Sequence, residues 1–406
     1  MRRFYDESSA LRSQRARAIT SPGATAATHR IAVIGTGMMG REHMRVATLL
    51  GRARIAGILD PSAASMDLAE AAFRHYSDRP LHRYGSILEL CDDPSLDALI
   101  ISSPNHTHWQ VVQAVLGSGK ALLVEKPMAT TLDDALCMWR ALRDAPNILQ
   151  LGMQYRFKAQ YVDIFRSVKK NQDLGRVRTI SMCEYRPPFL DKVQQWNKFS
   201  VLSGGTLVEK CCHYFDLINQ MAEARPLRVY ASGGRAVNFL DFEQDGQRSD
   251  IDDHAFVTIS YDNGIRASFA LNMFCQELYE ELIIGGERGR AVATERASFK
   301  SDGPSRSTLQ VEVEGHPHYL EQTVAYPRIV EESGHYGATF FAQEAFMDRL
   351  EGRAADGATV TEGLWAMIVA TAAQESIRTD SVIEIAALLR RHGASPDELG
   401  NLPASR

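Results

Sequence analysis

The pattern of hydrophobic and polar positions changes near residue 150. From Arg30 to Gln150, short apolar runs alternate with stretches of helical periodicity, which is typical of a doubly wound parallel sheet. After that point most runs alternate polar and apolar positions, and Asn263-Gly264 stands between two of them as a hairpin turn. The pattern therefore predicts an α/β Rossmann domain over 30–150 and an α+β substrate and oligomerisation domain with a mostly antiparallel open sheet over 151–335.

The two ends of the chain differ from this pattern. Helical periodicity returns at residue 336, and we expect the helices of 336–406 to pack back on the domains. Residues 1–29 are rich in Arg, Ser and Ala and show no periodicity, which predicts a flexible N-terminal arm. No apolar segment follows Arg2-Arg3, so a secretory signal is not expected.

A glycine motif follows the first predicted strand. Residues 30–40 read R-I-A-V-I-G-T-G-M-M-G, so Gly35, Gly37 and Gly40 form G-x-G-x-x-G between a strand and a helix. In that setting the glycines allow a tight turn, approach of a pyrophosphate to the backbone, and close packing of helix on strand. Asp60 ends the next predicted strand, where a carboxylate accepts bonds from the ribose hydroxyl and favours NAD over NADP. The alternative is that Asp60 only caps a turn.

Two later strands end at the carboxyl edge of the predicted sheet, where ligands bind in parallel α/β folds. Asn105 follows the first of them and is placed to meet the nicotinamide half of a dinucleotide. The second, Ala121–Val124, stops at Glu125, Lys126 and Pro127. Because Pro127 has no N–H and biases Lys126 towards extended geometry, we expect the lysine amine to leave the sheet edge. The alternative is a solvated lysine at an ordinary strand end.

One predicted helix of the second domain carries a polar stripe. After Gly204-Gly205 the chain reads T-L-V-E-K-C-C-H-Y-F-D, so Glu209, His213 and Asp216 fall at i, i+4 and i+7. On a continuous helix this spacing places the three side chains on one face between apolar flanks, which favours the wall of a cleft. The alternative is a core histidine bonded to a neighbouring carboxylate. The sequence does not fix the direction of the Lys210 amine.

Composition narrows the class of function. The chain of 406 residues is 45% hydrophobic with a net charge of −5, which gives no footprint for nucleic acid or an anionic membrane. No apolar run approaches the length of a membrane span. The six cysteines show no disulfide spacing, so we expect a reducing, cytoplasmic location. Neither His106 and His108 nor the consecutive Cys211-Cys212-His213 has the arrangement of a zinc site, so no metal is expected.

In their order along the chain, the glycine motif, Asp60, P-N-x-x-H, E-K-P and the G-G…E-x-x-x-H-x-x-D helix resemble the Gfo/Idh/MocA oxidoreductases from about Arg30 to Ser381. The resemblance implies a Rossmann domain, an open-sheet domain through which homodimers or homotetramers form, and pyridine-nucleotide oxidation or reduction of a sugar or cyclic polyol. It also implies that Lys126 is the E-K-P lysine, often followed by a cis peptide bond, and that His213 is the catalytic histidine. Glu209 stands where the family usually has Asp, which leaves its placement against the substrate open.

The motifs and the resemblance together give a hypothesis for the site. His213 removes a hydroxyl proton as hydride leaves the same carbon for NAD, Lys126 stabilises the developing charge on the oxygen, and Glu209 orients His213 or binds a neighbouring hydroxyl. The predicted cofactor contacts are Gly35, Gly37, Met38, Met39, Gly40, Asp60, Ser103, Pro104, Asn105, His108, Glu125 and Lys126. The predicted substrate contacts are Lys126, Tyr155, Arg156, Tyr185, Trp196, Glu209 and His213.

Three other functions fit the same motifs. A lyase or glycoside-cleaving enzyme would oxidise its substrate transiently and return the hydride to a tightly held NAD, so it would release product without net NADH. A non-catalytic NAD-binding sensor would need neither Lys126 nor His213. An imine or biliverdin-type reductase of the same superfamily is disfavoured by the helix motif of the sugar-type enzymes.

Overall fold

The computed structural model of the protein describes residues 29–145, 148–298, 305–315, 320–400 and 402. The predicted N-terminal arm, apart from residue 29, therefore lies outside the described residues. No helix in the described part of the chain is long and apolar enough to cross a membrane.

The first sheet has six parallel strands in the order β3-β2-β1-β4-β5-β6. Its elements in chain order are β1 (His29–Ile34), α1 (Met38–Leu50), β2 (Ala53–Leu59), α2 (Ala63–Phe73), β3 (His82–Arg83), α3 (Ile87–Asp92), β4 (Ala98–Ile101), α4 (His108–Val115), β5 (Ala121–Glu125), α5 (Leu132–Leu142) and β6 (Leu149–Gly152). β4 and β5 are buried along their whole length, as expected for central strands covered on both faces. The strand order reverses between β1 and β4, which confirms the predicted doubly wound sheet.

The second sheet has nine strands in the order β16-β15-β14-β13-β7-β12-β11-β8-β17. The elements that lead up to and through it are α6 (Ala159–Phe165), β7 (Val177–Tyr185), α7 (Ser200–Ser203), α8 (Thr206–Glu209), α9 (Cys212–Ala222), β8 (Pro226–Gly234), β9 (Glu243–Gln244), β10 (Gln247–Arg248), β11 (His254–Tyr261), β12 (Arg266–Asn272), β13 (Leu278–Gly286), β14 (Gly289–Ala297), β15 (Arg306–Val313) and β16 (Leu320–Thr323). β12 and β7 pair in parallel, and the other neighbours pair antiparallel. The sheet is therefore mostly antiparallel, as predicted.

The tail is helical, with one short strand. Its elements are α10 (Arg328–Glu331), α11 (Ala338–Leu350), α12 (Val360–Thr379), β17 (Ile383–Glu384), α13 (Ile385–Arg391) and α14 (Pro396–Leu399). α11 contacts strand β6 and helix α1: the Gln150 side-chain amide donates to the Ala342 carbonyl at 2.7 Å, and Gln343 donates to the His43 carbonyl at 3.0 Å. These two bonds join α11 to the first sheet, and the packing of the whole tail on the domains remains a prediction.

The chain divides into two compact units that are each discontinuous in sequence. Unit 1 takes its described residues from 1–129, 134–157 and 326–360, so it contains the first sheet and α11. Unit 2 takes them from 130–133, 158–325 and 361–406, so it contains the second sheet and α12. The domain boundaries given by the sequence pattern remain a prediction.

The prediction of a single helix after Gly204-Gly205 is wrong, because the structure has two helices there. α8 ends at Glu209 and α9 begins at Cys212, and the Cys211 N–H reaches back to the Thr206 carbonyl at 3.4 Å, one residue further than in an α-helix. Glu209 and His213 therefore lie on two short helices joined by Lys210 and Cys211. The shared face inferred for them assumed a continuous helix, and it remains a prediction.

Candidate active site

The glycine turn of unit 1 has the shape that a dinucleotide requires. A Cβ on Gly40 would lie 2.1 Å from the Gly35 carbonyl oxygen, and a Cβ on Gly35 would lie 2.5 Å from the Ser103 nitrogen, so neither position admits a side chain. Around Gly37, in contrast, no atom of the described chain lies within 4 Å of the Cβ position. α1 begins directly after this open glycine, and helix N-termini bind phosphate through their unsatisfied N–H groups. These residues fit a bound NAD.

The Asp60 carboxylate joins the end of β2 to this turn. One oxygen accepts from the Thr36 N–H at 2.7 Å, and the other accepts from the Ser62 N–H at 2.9 Å. Asp60 therefore caps the local turn and also fixes the glycine turn. The oxygen that binds the Thr36 N–H also accepts from the Thr36 hydroxyl at 3.1 Å. The other oxygen has a second acceptor site, so the contact with a ribose hydroxyl remains compatible with these bonds and stays a prediction.

His108 and Glu125 make hydrogen bonds within the protein near the carboxyl edge of the first sheet. The two ring nitrogens of His108 face the Pro127 and Ser103 carbonyls at 2.7 and 2.9 Å, and burial lowers the pKa of this histidine although both carbonyls favour the charged ring. The Glu125 carboxylate binds His43 Nε2 at 2.8 Å and accepts from the Lys126 N–H at 3.2 Å. These polar atoms already make hydrogen bonds within the protein. Contacts of His108 or Glu125 with the cofactor remain predictions.

The Glu125–His43 contact holds the backbone from which Lys126 leaves β5. Burial raises the pKa of Glu125, but the hydrogen bond and charge of His43 outweigh it and leave the pKa below its ordinary value. His43 Nδ1 in turn lies 2.8 Å from the Gln343 side-chain nitrogen on α11. Lys126 is half-buried, and its peptide bond to Pro127 is cis, as the resemblance implied. An ionised carboxylate is therefore fixed at the residue before the predicted catalytic lysine and binds the backbone N–H of that lysine.

The other predicted residues of unit 1 lie close in sequence to these elements. Asn105 is buried in a single 3₁₀ turn after β4, and Met38 is exposed at the start of α1. Tyr155 and Arg156 are buried in the 3₁₀ turn that follows β6. All of them belong to unit 1 with Lys126.

Unit 2 brings Glu209 and Trp196 together through a lysine that the sequence did not single out. The Lys192 ammonium lies 2.8 Å from a Glu209 carboxylate oxygen and 4.3 Å from the centroid of the Trp196 ring. Glu209 is buried, whereas Lys192 is 28% exposed. The result is a cation and a carboxylate side by side against an aromatic face, which is suited to hydroxyl groups and to the C–H face of a sugar ring. No sequence pattern pointed to Lys192, because it lies in the irregular segment between β7 and α7.

His213 and Asp216 are both buried on α9, at 2% and 1% exposure. Lys210, between the two short helices, points to the second sheet: its ammonium lies 3.0 Å from Glu184 Oε1 on β7. Tyr185 is the next residue on β7, so it lies on the opposite face of the sheet, beside Tyr279. The structure therefore does not group Tyr185 with Glu209 and His213.

Comparison with known proteins identifies both domains of the chain. The family model described as the NAD-binding Rossmann fold of the Gfo/Idh/MocA oxidoreductases matches residues 29–153, and the model of the family's C-terminal alpha/beta domain matches residues 169–385. An uncharacterised oxidoreductase of Bacillus subtilis (strain 168) is 26% identical over 264 residues, which are 64% of this chain and 72% of that protein. The myo-inositol 2-dehydrogenase of Thermotoga maritima is 26% identical over 269 residues, 65% of this chain and 75% of that protein.

The fold is also shared with solved structures. An oxidoreductase from Agrobacterium radiobacter, solved in complex with NAD⁺, L-tartaric acid and magnesium, superposes with a TM-score of 0.68 at 18% identity over 89% of this chain and 99% of that one. Across the curated relatives, the aligned stretch covers from 41% to 75% of their length. With both of its domains matched, the chain belongs to the Gfo/Idh/MocA family and is an NAD-binding oxidoreductase.

Proposed function

We propose that the protein is an NAD-dependent dehydrogenase that oxidises a secondary hydroxyl of a cyclic polyol or sugar, with inositols as the first candidates. The observation that carries the proposal is the position of Lys126: it follows β5 at the carboxyl edge of the same sheet that bears the glycine turn, next to a fixed Glu125 carboxylate. The names of the relatives support the substrate class, since several of them are inositol 2-dehydrogenases.

The protein's own residues would divide the chemistry as follows. The Lys126 ammonium donates a hydrogen bond to the substrate oxygen and stabilises the negative charge that develops there. The neutral imidazole of His213 takes the hydroxyl proton. Glu209 and Lys192 accept from and donate to neighbouring hydroxyls, and Trp196 contacts the apolar face of the ring. Bound NAD supplies the hydride acceptor.

The Glu209–Lys192 pair also accounts for the departure from the family's usual Asp. A buried carboxylate is costly unless it is paired, and Lys192 supplies the partner at 2.8 Å. Because a glutamate is one methylene longer than an aspartate, its carboxylate can reach a lysine on the segment before α7. We propose that the pair, rather than the carboxylate alone, binds a vicinal diol.

The test is turnover of the purified protein with NAD and a panel of inositols, sugars and glycosides, followed by nicotinamide absorbance and by loss of substrate. Accumulation of NADH with one class supports the proposal and names the class. Loss of substrate without net NADH supports the transient-oxidation lyase or glycoside-cleaving enzyme instead. NAD binding without any turnover across the panel would contradict both and leave the sensor.

Two variants test the assigned roles. Lys126→Ala and His213→Ala should each lower kcat by at least about 10²-fold, because positioned acid–base groups typically contribute about 10²–10⁴-fold. NAD affinity should change little in both. Lys170→Ala and His75→Ala are matched controls, because both residues are exposed. Wild-type turnover in either active-site variant would refute its assigned role.

The proposal also covers the oligomeric state of the protein and its cellular location. Phe256 is 64% exposed on the face of the second sheet that points away from α9, and we propose that this face joins copies of the chain into a homodimer or homotetramer. Light scattering coupled to size exclusion would show a monomer if the idea is wrong, and Phe256→Asp should dissociate the assembly if it is right. The reducing, cytoplasmic location expected from the cysteine pattern is part of the same proposal.

A further inference from the structure

The irregular segment between β7 and α7, residues 186–199, carries Lys192 and Trp196, and we call it the β7–α7 segment. Its backbone is strained midway between these two residues. Gln194 and Gln195 have φ of 54° and 52°, in the left-handed region that residues other than glycine rarely adopt. Such a conformation persists only where the surroundings hold it. The positions of Lys192 and Trp196 therefore depend on what this segment packs against.

Its neighbour is the long connection between β8 and β11, residues 235–253, which we call the β8–β11 segment. β8 and β11 are antiparallel neighbours, and a hairpin connection needs only about 2–5 residues. The extra residues contain the β9–β10 hairpin. They are fixed at their end by Asp253, whose carboxylate accepts from the N–H groups of Val237 and Asn238 at 2.7 Å each. The β8–β11 segment is therefore a firmly bonded part of unit 2.

Lys198 joins the two segments. Its side chain is 6% exposed, and its ammonium lies 4.2 Å from the centroid of the Phe242 ring and 4.8 Å from that of the Phe239 ring, both on the β8–β11 segment. The same ammonium binds the Asp191 carboxylate at 2.8 Å. Cation–π contacts strengthen when the cation is shielded from water. Lys198 therefore ties the β8–β11 segment to both ends of its own segment.

Hydrogen bonds fix the carboxyl end of the β7–α7 segment to the same neighbour. The Ser249 hydroxyl donates to the Lys198 carbonyl at 2.8 Å. The Asp250 carboxylate accepts from the Ser200 N–H at 2.6 Å, where α7 begins. Ser249 is buried, and a buried hydrogen bond is costly to leave unmade. The end of the segment nearest to Trp196 is therefore fixed.

A third contact reaches the left-handed backbone itself. The Gln244 side-chain amide, on β9, donates to the Gln194 carbonyl at 3.3 Å. Gln194 lies two residues from Lys192 and two from Trp196. The Lys192 ammonium in turn binds the Glu209 carboxylate. The two proposed ring contacts are therefore positioned by Glu209 and by the β8–β11 segment together.

We propose that the β8–β11 segment determines which substrate ring the site accepts, and that Lys198 is the positioning residue through which it holds Lys192 and Trp196. The ligand class is a cyclic polyol or pyranose with vicinal hydroxyls beside an apolar C–H face. This role rests on the proposed function, because it takes Lys192, Trp196 and Glu209 as the ring contacts. A fixed wall rejects epimers whose hydroxyls leave its polar groups unpaired, and it lowers the ordering cost of binding.

Steady-state kinetics with two inositol epimers test the role on the full-length protein. Lys198→Met loses the charge, so KM for the preferred epimer should rise about tenfold, while kcat and the NADH dissociation constant stay within about twofold of wild type. The ratio of kcat/KM between the epimers should fall towards one, because a loosened wall adapts to both. Lys198→Arg keeps a cation over the rings and should restore both values. Lys170→Met is the matched control, because Lys170 is exposed.

Limited trypsin cleavage after Lys192, followed by mass spectrometry, measures the holding role without any turnover. Cleavage of a folded protein follows local opening of its backbone. Lys198→Met should therefore speed cleavage at this bond by about tenfold. Asp250→Ala is a second variant that guards against misfolding, because Asp250 is exposed and its loss removes the bonds to Ser200. It should speed the same cleavage by about threefold.

The two measurements separate the possible failures. Faster cleavage together with a raised KM and a lost epimer preference supports the role of Lys198. Wild-type cleavage in both variants would refute the holding contacts, and faster cleavage with an unchanged KM and epimer ratio would refute the specificity role. A wild-type protein that turns over no inositol, sugar or glycoside would contradict the proposed function and the specificity role with it, whereas the cleavage rates would still decide whether the β8–β11 segment holds Lys192.

Discussion

Removal of the Lys158 ammonium should destabilise unit 2 more than any surface substitution. Lys158 is 2% exposed at the start of α6, and its ammonium lies 2.7 Å from Glu280 and 2.6 Å from Glu295. These glutamates face each other across β13 and β14, and both are buried. Burial raises the pKa of Glu280, but Lys158 and other donors lower it to about 2. Burial also raises the pKa of Glu295, and the pKa of this residue stays above its ordinary value although Lys158 lowers it.

The expected magnitude follows from what Lys158→Met leaves behind. Loss of one partner of a buried ion pair typically costs about 3–5 kcal/mol, because the remaining charge is buried without compensation. Here two opposed carboxylates remain, so we expect a loss at the upper end of that range at neutral pH. In the variant both carboxyl groups bind protons more readily than in the unfolded chain, so the loss should shrink as the pH falls towards about 5.

Urea unfolding measures the effect. Trp196 and Trp365 belong to unit 2 whereas Trp109 and Trp139 belong to unit 1, so tryptophan fluorescence follows the unfolding of both units, and the variant is compared with wild type over the whole transition. Lys170→Met is the matched control, because Lys170 is exposed, and it should stay within about 0.5 kcal/mol of wild type. Adding Glu295→Gln to Lys158→Met should restore part of the stability. A Lys158→Met variant within about 0.5 kcal/mol of wild type would refute the reasoning.

Three further outcomes are expected. Lys192→Met should raise KM for the substrate by about tenfold with little change in NADH affinity, because Glu209 loses its partner; an unchanged KM would contradict the diol pair. Gly40→Ala should abolish NADH binding, since its Cβ would lie 2.1 Å from the Gly35 carbonyl oxygen, and a normal dissociation constant would contradict the tight turn. The melting temperature should fall as the pH drops from about 4.5 to 2. Glu42 and Glu280 have pKa values lowered from 4.5 to about 2, so the stability that their ionised carboxylates contribute is lost as they are protonated. A melting temperature that stays constant over that range would contradict this reasoning.

The Rossmann half could be predicted from the sequence because its burial pattern is simple. β4 and β5 are continuous apolar runs, and the glycines stand between a strand and a helix. In unit 2, buried charge obscures the pattern, because Glu280 on β13 and Glu295 on β14 occupy inward positions. Inward glutamates violate the alternation that marks a strand, and only the folded chain shows that lysines compensate them.

The candidate site was predicted where local chemistry determines it and missed where distant segments meet. The position of Lys126 depends on its own strand and on the proline that follows, and both can be recognised in the sequence. The break between α8 and α9 was missed because no glycine or proline stands at Lys210 and Cys211 to indicate it. Lys192 and Lys198 lie in an irregular segment, and their partners Glu209 and Phe242 are distant in sequence, so no spacing rule indicates them.

The insertion of unit 2 into the sequence of unit 1 affects the order of events on the ribosome. The first sheet is synthesised early, but α11, which donates to the His43 carbonyl through Gln343 and accepts from Gln150, comes after the whole of the second sheet. A nascent chain that ends before residue 338 has therefore made all six strands of its nucleotide-binding unit while the Gln150 side-chain amide and the His43 carbonyl still lack these partners on α11. NAD should bind only to chains extended beyond Leu350, so the cofactor would first stabilise the protein when synthesis is nearly complete.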